Sequence, residues 1–212
     1  MERYEFGSPS APDVLVRMAA DHNMDSLERE AALIRERTGR DFCLLAFKVD
    51  RWNDDLSPWE APAVFGNEPF GGGAAATLNE VLRTCADPSK TYYIGGYSLA
   101  GLFALWAAYQ TDVFAGVAAA SPSVWFPGFA AYMRSREIRS KAVYLSLGDR
   151  EERTRNPVMA NVGNCIREAE ALLKASGTDC VLEWNPGNHF KDADLRTAKA
   201  FAWLLNRKDG KQ

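Results

Sequence analysis

Tyr92-Tyr93-Ile94-Gly95-Gly96-Tyr97-Ser98-Leu99-Ala100-Gly101-Leu102-Phe103-Ala104-Leu105-Trp106 is the stretch whose reading decides the fold. It opens on a short apolar strand, Tyr92 to Gly95, crosses Gly96-Tyr97-Ser98, and runs without a polar break into an apolar helix, Leu99 to Tyr109. A chain that leaves a strand and enters a helix within two residues makes a tight turn that lifts the turn residue clear of the sheet edge. Such a turn presses the positions two before and two after it against neighbouring backbone. Only small side chains fit there, and Gly96 and Ala100, followed by Gly101, meet the requirement. The pattern is Gly-x-Ser-x-Ala rather than the commoner Gly-x-Ser-x-Gly. It makes Ser98 a candidate nucleophile; the plainer reading of the same residues is a glycine-rich turn with an N-capping serine.

Outward from this turn the chain alternates strand-like and helix-like segments, which predicts a mostly parallel sheet covered by helices on both faces. Strands are expected at Val14 to Ala19, Phe42 to Val49, Phe114 to Ala119, Ala142 to Leu147 and Val181 to Trp184. A helix is expected from Leu27 to Arg37, capped by Asp25 or Ser26 and ended by Gly39. Further helices are expected over Ala74 to Thr84, Pro157 to Ala175 (stopped by Gly177) and Asp194 to Leu205. Asp50 to Gly73, rich in Trp, Pro, Asp and Gly, reads as irregular. With no repeat or linker, residues 1–212 read as one α/β domain, a three-layer α/β/α sandwich.

Composition narrows the function. The 212 residues are 47% hydrophobic and 25% charged, with a formal net charge of −3 and no basic block, so nucleic acid is not an expected partner. No apolar run approaches the ~20 residues of a membrane span, and Met1 to Ala11 lacks the layout of a secretory signal. Cys43, Cys85, Cys165 and Cys180 are scattered and read as buried free thiols in a reducing cytoplasm. The two histidines, His22 and His189, have no metal-ligand spacing around them, so neither a metal nor another cofactor is expected.

The segments Gly96-Tyr97-Ser98-Leu99-Ala100-Gly101 and Ser121-Pro122-Ser123-Val124-Trp125, with His189 after the last strand, resemble the α/β-hydrolase esterases near esterase D and the enterobactin-esterase-like hydrolases. The resemblance spans most of the chain and implies ester hydrolysis through a serine acyl-enzyme. A short N-terminus that lacks the first strands of larger members, and the stretch Gly148-Asp149-Arg150-Glu151, depart from it. In this fold the order is serine, acid, histidine, and His189 lies where the base is expected. The acid should follow the strand Ala142 to Leu147, where Asp149, Glu151 and Glu152 compete. Glu151 is preferred because the acid often falls three residues after a strand-ending glycine, here Gly148; Asp149, Glu152 or a Ser–His dyad are the alternatives.

Oxyanion donors are expected at the backbone N–H of Leu99 and of Ala20 or Asp21. Trp52, Trp125 and His22 are candidate pocket residues, and each tryptophan could equally be packing under a long loop. Only about 20 residues separate Ala120 from Ala142, too few for a large lid. The expected partner is therefore a small acyl ester. The competing readings are an acyltransferase using the same acyl-enzyme, and a binding protein that kept the fold without the chemistry.

Overall fold

A computed structural model describes residues 1–207, the side chain of His22 excepted. In chain order the elements are β1 (Arg3–Gly7), β2 (Asp13–Ala19), a 3-10 helix (Asp21–Ser26), α1 (Leu27–Thr38), β3 (Cys43–Lys48), α2 (Trp52–Asp55), β4 (Glu60–Ala61), β5 (Phe70–Gly71) and α3 (Ala74–Thr84). They continue with β6 (Thr91–Tyr97), α4 (Leu99–Gln110), β7 (Phe114–Ala120), α5 (Phe129–Arg134), β8 (Ala142–Gly148), α6 (Pro157–Ala160), α7 (Val162–Ala175), β9 (Asp179–Asn185) and α8 (Ala193–Arg207).

Seven strands form one sheet in the order β1-β3-β2-β6-β7-β8-β9, parallel except for β1. The central strands are buried and mostly apolar because helices cover both faces. Alternation along β2 sorts its side chains: Val14, Val16 and Met18 join the core beneath α3 and α4, while Leu15 joins the core beneath α1 and α8. Arg17, next in the Leu15 register, faces the α1 side and meets Glu30 there. Helix α4 is apolar all round and buried from Leu99 to Tyr109, as a helix enclosed on most sides must be. Small residues set the layer spacing. A Cβ on Gly95 would stand 2.6 Å from Phe201 and 2.7 Å from the Ala118 methyl, so α8 rests directly on the β6–β7 backbone.

Several expectations need correction. The polar N-terminus does supply a sheet strand: β1 pairs antiparallel with β3, using alternate residues against an edge that one covered face suffices to hold. Ser26 stands at the N-cap of α1 without capping it; its hydroxyl donates instead to the Asn23 carbonyl at 2.7 Å within the preceding 3-10 helix. The helix expected over Pro157 to Ala175 is broken at Asn161 into α6 and α7, and Asn156 caps α6 by accepting the N–H groups of Val158 and Met159. The stretch from Asp50 to Gly73 contains α2 and the β4–β5 hairpin, short elements without a readable period. Cys43 and Cys85 are buried as expected, whereas Cys165 and Cys180 are only half-buried. Among the described residues no helix is long and apolar enough to cross a membrane.

The closeness of α8 to the sheet yields a stability test. Gly95→Ala should destabilise the protein by about 1–3 kcal/mol, since the methyl must displace Phe201 or the Ala118 backbone. Denaturant unfolding with an unchanged midpoint would contradict this packing.

Candidate active site

Strand β6 delivers Ser98 to the carboxyl edge of the sheet, where ligands of open α/β sheets bind. Its backbone is at φ 59° and ψ −121°, a conformation L-residues rarely adopt. The turn is fixed from both sides: the Ser98 N–H donates to the Ala120 carbonyl, and the Ser98 carbonyl accepts from the N–H groups of Leu102 and Ser123. A Cβ on Gly96 would stand 2.6 Å from the Ala100 methyl and 2.7 Å from its carbonyl carbon. That is why the two flanking positions must be small.

His189 arrives from the loop after β9, with Nε2 3.0 Å from Ser98 Oγ and Nδ1 2.7 Å from Glu151 Oε2. Of the three carboxylates weighed, Glu151 is the one that meets the ring. Asp149 instead accepts the Gly187 N–H at 2.8 Å and so fastens the histidine loop, and Glu152 turns toward Arg167, 3.5 Å away. The Glu151 N–H donates to the Gly148 carbonyl, so the chain curls back over the strand end at this point.

The second oxygen of Glu151 accepts three donors: the Ser121 hydroxyl at 2.7 Å, the Gly148 N–H at 2.7 Å and Arg196 Nη1 at 2.8 Å. Burial alone would raise the Glu151 carboxyl. The hydrogen bond and charge of His189, with Ser121 and the Gly148 N–H, outweigh that and hold it below its ordinary value. Arg196 is 1% exposed and also donates to Tyr97 Oη at 3.0 Å and to the carbonyls of Asn188 and Pro186. Burial pushes the Tyr97 phenol up to about 12, so it stays protonated and donates to the His189 carbonyl at 2.7 Å. Tyr97 and Ser121 fall inside the quoted motifs without a role of their own, and Arg196 is not singled out by the sequence at all. Their spacing in sequence is irregular, and no short motif joins them.

A cavity of about 620 Å³ opens over Ser98 and His189. On one side Trp52, Phe65, Trp125, Met159 and Phe190 give it an apolar wall, so both candidate tryptophans line it. On the other side it reaches Arg17, Asn23, Ser26, Glu30 and Asp194. There Arg17 Nε donates to Glu30 Oε2 at 3.5 Å and lies 3.4 Å from Oε1, which has no directed hydrogen bond of its own. Burial raises the Glu30 carboxyl, with Arg17 opposing. His22 lies in the 3-10 helix beside Asn23, and its side chain is outside the described residues.

Leu99 begins α4, where its N–H has no intrahelical acceptor and stands next to Ser98. Ala20 and Asp21 follow β2 directly at the same sheet edge; Ala20 is buried, and the Asp21 side chain points outward to Lys48 at 3.1 Å. Among the described residues no cluster of His, Cys, Asp and Glu is placed to hold a metal ion.

No family model matches the sequence, and no curated protein sequence is similar to it. Solved structures are similar in fold. An IroE-like serine hydrolase from Shewanella oneidensis superposes with a TM-score of 0.76 at 13% identity, over 96% of this chain and 75% of that one. The siderophore hydrolase EstA from Aspergillus nidulans gives 0.68 at 22% identity, over 94% and 85%. The enterobactin esterase FES from Shigella flexneri gives 0.62 at 14%, over 95% of this chain but only 55% of that larger one. The chain thus has the α/β-hydrolase fold that these serine hydrolases and siderophore esterases share.

Proposed function

We propose that this protein is a serine hydrolase that cleaves a small carboxylic ester through an acyl-enzyme on Ser98. The observation that carries the reading is the continuous line from Ser98 Oγ through His189 to Glu151, at 3.0 and 2.7 Å. His189 Nε2 takes the Ser98 proton as Oγ attacks the ester carbonyl, and the same nitrogen then returns that proton to the departing alcohol. Water repeats the sequence on the acyl group, releasing the acid and restoring Ser98. Glu151 receives the Nδ1–H, fixes the tautomer and stabilises the imidazolium. Its depressed pKa keeps it ionised for that task.

The carbonyl oxygen, as it gains charge, is received by the Leu99 N–H and by the N–H of Ala20 or Asp21. A single such donor is typically worth about 3 kcal/mol. The apolar wall of Trp52, Phe65 and Trp125 accepts the acyl chain. Cysteine does not compete as nucleophile, since burial pushes Cys85 and Cys180 up to about 12 and raises Cys43 and Cys165. Four free thiols suit a reducing compartment, and we place the reaction in the cytoplasm.

Ser98→Ala should fold normally and lose nearly all 4-nitrophenyl acetate or butyrate hydrolysis, together with labelling by a fluorophosphonate. Retention of more than about a tenth of kcat would remove Ser98 from its role, because loss of a nucleophile costs several orders of magnitude.

Acyl length gives a second test. Acetyl and butyryl esters should outperform long-chain ones with no activation by emulsified lipid, whereas a preference for emulsified triglyceride would contradict the expectation that the short span from Ala120 to Ala142 holds no large lid.

Glu151→Gln should lower kcat at least about 100-fold, while Asp149→Asn and Glu152→Gln stay within about tenfold of wild type. The same variant has a pH signature. A carboxyl held below its ordinary 4.5 adds stability that is complete above that value and is lost as pH falls through the depressed folded pKa. The stability gap between wild type and Glu151→Gln should therefore shrink on acidification below about 4.5. A gap that stayed constant to pH 3 would mean that the carboxylate is not held in this way.

A further inference from the structure

Next to the cavity over Ser98 lies a second one of about 440 Å³, which shares Trp125, Met159, His189 and Phe190 with the first. Arg150, Arg153 and Arg155, from one short segment, line it in a chain whose net charge is −3. The arginines are exposed, but their backbone is tied down. The Arg150 N–H donates to the Gly187 carbonyl at 3.1 Å, the Arg153 N–H to the Arg150 carbonyl at 3.1 Å, and the Asn156 side chain to the Val64 carbonyl.

The charges in this cavity do not cancel. Arg153 and Arg155 make no side-chain hydrogen bond or ion pair among the described residues, and Arg150 approaches Asp149 only to 4.0 Å. The one carboxylate in the lining is Glu151, whose oxygens are already taken by His189, Ser121, Gly148 and Arg196. Glu152, the remaining acid of the segment, is drawn away to Arg167 on α7. A surface arginine ordinarily finds an acid or open water. Here Arg153 and Arg155 line a cleft and have no acid partner among the described residues.

We infer that this cleft binds the leaving-alcohol half of the substrate and that this half carries an anionic group, a carboxylate or a phosphate. The assignment rests on the ester-hydrolase reading above, because His189 returns its proton to the departing oxygen and the alcohol must leave past that ring. Guanidinium groups favour such anions because their paired N–H donors match two oxygens at once. The substrate is then an ester with an apolar acyl portion along Trp52 and Phe65 and a negatively charged alcohol portion along the arginines.

The test compares three acetates of similar shape: methyl 4-acetoxybenzoate (neutral), 4-acetoxybenzoate (carboxylate) and 4-acetoxyphenyl phosphate. For each, kcat/KM is measured with wild type and with Arg153→Gln/Arg155→Gln, and the anionic-to-neutral ratio is compared so that intrinsic leaving-group reactivity cancels. Calorimetric titration with 4-hydroxybenzoate and with phenyl phosphate reads the same cleft without turnover. We expect the ratio to fall at least about fivefold in the double variant and to fall with added salt in wild type only, as for screened, partly exposed charges. The larger effect, for carboxylate or for phosphate, identifies the anion. Equal ratios in the two proteins, with Ser98-dependent turnover of all three acetates, would overturn the anion site and leave the hydrolase intact. Arginine-dependent binding of the anions without Ser98-dependent turnover would overturn the leaving-group assignment together with the hydrolase reading.

Discussion

A guanidinium sealed inside the protein stands behind the candidate relay, and the geometry in front of it follows from where that charge can be neutralised. Arg196 reaches Glu151 at 2.8 Å, Tyr97 at 3.0 Å and Ser121 at 3.2 Å, and it also engages two carbonyls of the loop that carries His189. Those partners come from β6, from the ends of β7 and β8, and from the loop after β9, so one side chain of α8 registers four strand ends against each other. A buried charge left without its counter-ion costs several kcal/mol. Displacement of any one of these strand ends is therefore opposed by more than its own packing.

The site is asymmetric in how firmly its members are held. Ser98 is locked by the sheet itself, through backbone hydrogen bonds to neighbouring strand ends and small residues on both flanks. His189 belongs to a loop with few apolar contacts of its own, and its neighbour Phe190 is largely exposed. That loop is held by polar ties: Asp149 to the Gly187 N–H, Tyr97 to the His189 carbonyl, and Arg196 to Pro186 and Asn188. Substrate contacts with Phe190 would act on the part of the site that packing constrains least.

The elements most legible in the sequence were those whose pattern is local. The Gly96 to Gly101 turn, the apolar strands on either side of it and helix α4 each announce themselves within about ten residues. The choice of Glu151 over Asp149 and Glu152 also came from a local cue, the strand-ending Gly148. What stayed hidden was of two kinds. Edge strand β1 and the β4–β5 hairpin are too short or too polar to show a period. Tyr97, Ser121 and Arg196 are ordinary residues until folding brings them together across up to 99 positions of sequence. The break at Asn161 belongs with the first kind: Pro157 and Asn156 mark a helix start, but nothing nearby marks a stop five residues later.

The sequence separation of the Arg196 contacts makes the arrangement of the site depend on the last helix of the described residues. The turn that carries Ser98 and its flanking strands are made of residues that precede α8 in the chain. Until α8 docks, Glu151 lacks its buried counter-ion and the histidine loop lacks the two ties that Arg196 makes to it. Because α8 also covers one face of the sheet, sheet and site are completed together as a single domain folds. A chain cut before residue 196 would lose that face of the core together with the anchors of the His189 loop.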